Sequence, residues 1–351
     1  MKKSKTFFAC AMLAALASCS NDHVLSQQSP TPSDPDVINI VAASSKPATR
    51  AVENATNLQN KQFATGEKIN VYLEEVKLES ETAVITYTPK VYKVTTTQGD
   101  VSGSLVLTPS DGVNPKFPSN DHGVLAYAFY PSTVSETENG NTAPFTVELN
   151  QSSDDDYKKS DLMFGTNNYN ATEGDDYGKQ IDNFSGTTRG NQVPLYFKHQ
   201  LTKIIIDLDE NSFDPSVFAG ATISLHSAKK GCIYKAGKDG ITEITATTDL
   251  GDGESYNLGT FSTSNKYAGI IVPQDINKDQ PFIKITTTDN PAKIYTYKIA
   301  DDPKMTFEGG KKYIYKISLS GGNLVVVSVK IEDWDKVEKT GTADLEPSAG
   351  S

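Results

Sequence analysis

The period of the apolar segments limits this chain more than any other feature. From Ile69 onward they are short, alternating or wholly apolar, and separated by clusters of Gly, Pro, Asn and Asp. INVYLEEV, VYKVTTT, GSLVLT, VLAYAFY, FTVEL and DLMFGT form a first series; VPLYFKHQLTKIIIDL begins a second, continued by TISLHS, TEITATT, YAGIIV, FIKITTT, IYTYKI, KYIYKISL and LVVVSVKIEDW. Such segments are strands, and no helical pattern interrupts them. Ile204, Ile206 and Leu208 share one face, and Tyr313, Tyr315, Ile317 and Leu319 alternate with Lys312, Lys316 and Ser318. The 16 Tyr and 14 Phe suit a pleated surface. An all-β chain of two tandem antiparallel β-sandwich domains follows. The hydrophilic interval from Asn167 to Asn191 places the boundary near Gly190, giving domains over 37–190 and 191–351.

The first residues do not belong to either domain. Lys2, Lys3 and Lys5 precede an apolar stretch from Phe7 to Ala17, the charge order of a secretory signal, and the stretch is too short to span a bilayer. It ends in Leu16-Ala17-Ser18-Cys19, which resembles a lipobox. On that reading residues 1–18 are a lipoprotein signal peptide and Cys19, acylated, becomes the first residue of the mature chain, held at a membrane surface. The polar, proline-rich 19–36 then serves as a solvated tether.

Charge and reactive groups exclude much. The net charge is -11 with no basic stripe to oppose it, so a nucleic-acid backbone would be repelled. His23, His122, His199 and His226 show no zinc spacing, and no metal or cofactor is expected. The acidic runs Asp154–Asp156 and Asp207–Asn211 could ligate calcium, but the second lacks the glycine and closing glutamate of an EF-hand loop. Cys232 lies in a strand and reads as a small packed hydrophobe. No phosphate loop or nucleophile elbow is present, so the chain is read as a non-enzyme.

The basic residues are almost all lysine; the two arginines are Arg50 and Arg189. Arg50 follows the accessible SSKPAT and precedes Ala51, a suitable place for an arginine-specific protease to cut. Before it Val37, Ile38, Ile40 and Val41 can form a strand, with Ile38 and Ile40 on one face. Cutting would detach that strand and leave an apolar groove with unpaired backbone, which must be refilled. At the other end Val325, Val327, Val329 and Ile331 are expected on one face of residues 324–334, after a Gly321-Gly322 hinge and before Trp334. That segment reads equally as the last core strand of the second sandwich or as a donor strand.

Taken together, the lipobox at Cys19, TRA at Thr49, YPST at Tyr130, DLMFG at Asp161, FKHQLTK at Phe197, GGKKYIYKISL at Gly309 and KIEDW at Lys330 resemble the fimbrillin family, lipoprotein pilins of type V pili in Bacteroides-like bacteria. The resemblance implies transthyretin-like sandwiches, an outer-membrane lipoprotein precursor, cutting after Arg50, and donor-strand exchange with other fimbrial subunits in a cell-surface fimbria that serves adhesion. The residues matching Leu324 to Trp334, with the tail, would enter the groove vacated by Val37–Ala42. The polar tail after Trp334 departs from the stalk pattern and leaves a tip or minor subunit open. Other readings are a monomeric glycan-binding lipoprotein, with Tyr127, Tyr130 or Trp334 as an aromatic platform, and a hydrolase using His199 and a nearby carboxylate.

Overall fold

The structure is a computed structural model that describes residues 34–43, 63–77, 86–95, 105–117, 122–170, 179–213, 218, 220–260 and 265–334. The leader, Cys19, Arg50, Ala51 and the tail 335–351 lie outside the described residues. In chain order the first strands are β1 (Ile40–Ala43), β2 (Lys68–Lys77), β3 (Lys90–Thr95), β4 (Leu105–Pro109) and β5 (His122–Tyr130). Next come β6 (Ala143–Thr146), β7 (Asn150–Gln151), the short helix α1 (Asp154–Lys159), β8 (Met163–Thr166), β9 (Thr187–Thr188) and β10 (Val193–His199). The second half holds β11 (Thr202–Leu208), β12 (Thr222–Leu225), β13 (Gly231–Gly237), β14 (Gly240–Thr248), β15 (Tyr256–Thr260) and β16 (Lys266–Ile271). It ends with β17 (Gln274–Asn277), β18 (Pro281–Thr286), β19 (Ile294–Lys298), β20 (Lys304–Phe307), β21 (Lys311–Ser320) and β22 (Asn323–Asp333).

These strands make two sandwich-like bodies, as the alternating pattern requires. The first is one sheet in the order β2-β3-β4-β1-β10-β8-β5-β9, folded back on itself because β2 also pairs with β5. Its interior is filled by Ile38, Ile40, Ile69, Val71, Tyr92, Val94, Val193 and Leu195 among others. The second is built on the path β19-β18-β12-β15-β16-β11-β21-β22. Ile204, Ile206, Leu208, Tyr313, Tyr315 and Ile317 point into its core, as their alternation predicts.

Among the described residues three ladders run parallel rather than antiparallel: β1 with β10, β7 with β15, and β11 with β21. Two of them repeat one plan. In each body the opening strand is inserted between an antiparallel neighbour and a parallel closing strand, β1 between β4 and β10, and β11 between β16 and β21. Local period cannot report that choice, because it fixes the face of a side chain and not the direction of the neighbouring chain.

A boundary near Gly190 falls one strand early. Val193–His199 still pairs with β1 and β8 in the first sheet, so the change of sheet comes at Gln200–Leu201. The hydrophilic interval is the excursion from β8 to β10 and carries β9. The division is also crossed in the other direction: β6 pairs with β13, and β7 with β15, so residues 143–151 complete sheets of the second body. The run Asp154–Asp156 opens α1, where Ser153 caps the helix and Asp156 pairs with Lys159.

Candidate functional site

The expected removable strand lies in the interior of the first sheet. Ile40, Val41 and Ala42 pair in parallel with Val193, Pro194 and Leu195, and in antiparallel with Leu107, Val106 and Leu105. Ile38, Ile40 and Ala42 are buried in the core, as expected for one face, and Val41 is buried on the other. The segment before β1 is held as well. Val37 bridges Lys116, Ile38 N donates to Pro115 O at 2.9 Å, Phe117 N to Asp36 O at 2.8 Å, and Val193 N to Asn39 O at 2.8 Å. Lifting 37–43 out would therefore open a slot flanked on both sides by unpaired backbone and floored by apolar side chains.

The expected donor segment is an edge strand. β22 pairs with β21 along its length, and the Gly321-Gly322 step is not a hinge but a two-residue hairpin turn, with φ of +57 and +79. Val325, Val327, Val329 and Ile331 are all exposed, Val327 at 58% and Ile331 at 53%. They do not share one face. A bulge opposite Lys316 and Ile317 pairs Ile317 with Val326 but Tyr315 with Val329, so Val329 and Ile331 lie with the buried tyrosines and Val325 on the reverse. Leu324 is buried instead. The alternation written in the sequence is thus broken by one extra residue that only the ladder reveals.

Trp334 ends β22 at a joint where four of the quoted motifs meet. Its indole stacks on His199 at 4.0 Å between centroids and 4° between planes, and His199 Nδ1 lies 2.8 Å from Asp161 Oδ1. The ammonium of Lys203, a residue only 1% exposed, stands over the same indole, 5.4 Å from its centroid. Backbone bonds tie the same stretches: Gln200 N to Leu162 O, Gly310 N to Leu201 O, and Trp334 N to Gly310 O at 2.9, 2.8 and 2.7 Å. Glycine is required at 309, since a Cβ there would lie 2.5 Å from Gln200 O. The DLMFG, FKHQLTK, GGKKYIY and KIEDW stretches are therefore one structural joint, located where the chain passes from the first sheet to the second.

That geometry disposes of two alternatives. His199, with one ring face covered by Trp334 and one nitrogen on Asp161, fixes the end of β22. Tyr127, Tyr130 and Trp334 are buried, because their rings fill the interior, and no aromatic platform forms from them. Cys232 is packed, and burial pushes its thiol up to about 12.

The architecture is an all-β one of two sandwich-like bodies that share strands and core. A candidate cell adhesion protein of Bacteroides uniformis shares the fold with a TM-score of 0.55 and 22% identity, over 87% of this chain and 100% of its own. One of Bacteroides ovatus does so with a TM-score of 0.53 and 17% identity, over 86% of this chain and 98% of its own. No curated protein sequence matches at comparable significance. The chain belongs to the fimbrillin-like family, whose profile matches residues 49–334, from beside Arg50 to Trp334. It is accordingly a subunit of cell-surface fimbriae, a structural component that assembles with other fimbrial subunits and not an enzyme.

Proposed function

We propose that the protein is made as an outer-membrane lipoprotein acylated on Cys19, is cut after Arg50 by an arginine-specific protease, and joins its neighbours by donor-strand exchange through the slot of β1. The observation that supports this most is the interior position of β1. Burying Ile38, Ile40 and Val41 is worth about 5–9 kcal/mol at ~1.5–3 each, before ordering costs. This is comparable with the net stability of a whole domain, so a subunit that has lost the strand is under strong pressure to accept another. Arg50 stands in the connection between β1 and β2, so one cut there severs the strand from the body while the tether side stays attached to the lipid.

β22 with the tail beyond it is the candidate donor for the next subunit. Its exposed valines and isoleucine gain burial on transfer, while its ladder with β21 and the Trp334 joint hold it at home until a slot is offered. An arginine-specific protease, acting on the protein together with other fimbrial subunits, should yield a new N-terminus at Ala51, release of residues 37–43, and mixed ladders that resist unheated SDS. Arg50→Gln should remain uncut and monomeric. Cleaved protein that retains residues 37–43 and stays monomeric overturns the reading.

A further inference from the structure

Arg50 lies after β1, and the other arginine lies at its beginning. Arg189 Nη2 forms an ion pair with Asp36 Oδ1, with the guanidinium side chain 34% exposed. The next amide, Gly190 N, donates to Pro35 O at 3.2 Å, and Gly190 has φ +82, which favours glycine in this turn. Both residues sit in the turn from β9 to β10. Because β10 runs parallel to β1, with Ile40 beside Val193, this turn stands at the end of the slot where β1 enters.

Most of the slot reads little sequence. Its two walls bond to backbone, and its floor accepts apolar or small side chains at alternate positions, where Ile38, Ile40 and Ala42 now lie. The ion pair differs, because it demands a charge of one sign at one position. It also reads direction, since a strand lying antiparallel to β10 would bring its C-terminal end to the guanidinium.

We infer that Arg189 is a specificity residue of the slot: it selects an incoming strand carrying a carboxylate two positions before its first core-facing apolar side chain, as Asp36 precedes Ile38. This rests on the donor-strand reading. It also assigns the partner's class. Between Asn323 and Ser351 no Asp or Glu is followed at two-residue steps by two successive apolar residues. The slot is therefore matched to a segment of a different subunit, acidic at its entry and then alternately apolar, rather than to a second copy of this chain.

The test uses the full chain cut after Arg50 and synthetic peptides spanning residues 34–43, one native and one with Asp36→Lys. An exposed pair of this kind corresponds to a factor of about 1.5–5 in affinity, and reversal of one charge adds repulsion. The lysine peptide should bind the wild-type slot about five-fold or more weakly than the native one, and Arg189→Glu should invert the order. Uncut protein carrying Asp36→Lys with Arg189→Glu controls for folding and should unfold at the wild-type urea midpoint. Equal binding of both peptides to both proteins overturns the selectivity while leaving the slot intact. No binding of either peptide to cut wild-type protein overturns the slot itself and this inference with it.

Discussion

His226 shows how the fold sets the behaviour of a single side chain. Its Nε2 lies 2.9 Å from Ser224 Oγ, and burial, with the charge of Lys284 as a smaller cause, holds the imidazole down to about 4. The unfolded chain, with an ordinary value near 6.5, binds the proton more readily between those limits. The contribution of His226 to stability is therefore full above pH 6.5 and is lost as the pH falls towards 4. Urea titrations across that window should show a falling midpoint, and His226→Asn should flatten the slope. The joint of Asp161, His199, Lys203 and Trp334 makes the same point from another side, because charged and aromatic groups far apart in sequence become useful only when stacked together. Its members were visible in the sequence as motifs, yet their shared purpose was not, since nothing local links residue 161 to residue 334.

At the level of the element, β1 and β22 are opposites. β1 is short and buried on both sides of its sheet, whereas β22 is long, pairs on one side only, and keeps four branched apolar side chains in water. Exposed apolar side chains on an edge strand contribute little to the stability of their own subunit and invite pairing with another chain. Val327→Lys combined with Val329→Lys should therefore shift the unfolding free energy by about 0.5 kcal/mol or less per site. The same variant should lose the SDS-resistant ladders that protease-treated wild type is expected to form with other fimbrial subunits. Unchanged ladders would show that the donor lies elsewhere in the chain. The period of both segments was plain in the sequence. The bulge that divides the apolar face of β22 was not, because it depends on how β21 is paired.

Across the whole molecule, the two bodies are joined by more than the turn at Gln200. Residues of both halves contribute to one core, in which Tyr127, Phe129 and Phe164 join Tyr234 and Ile204. Gln151, fully buried, takes the place of a strand where β15 and β16 diverge: Ile270 N donates to its Oε1 at 2.6 Å, and its Nε2 donates to Ile270 O at 2.7 Å. Gln151→Ala would strand that amide and carbonyl away from water, at about 1–3 kcal/mol each. The expected loss is roughly 2–5 kcal/mol in a denaturant titration, in a single transition if the bodies unfold together. Such rigidity suits a subunit of a fibre, which has to carry load without its two bodies parting.

The sequence alone determined the all-β class, the faces of β11 and β21, and the place of Arg50 after a strand-forming segment, because each depends on period or composition within a few residues. The tertiary structure decided that β1 is an interior strand, that β22 is an exposed edge, that β6 and β7 cross to the second body, and that Arg189 meets Asp36. Those facts depend on which chain lies beside which, and pairing between distant strands is set by the packing of the whole core rather than by any stretch of it.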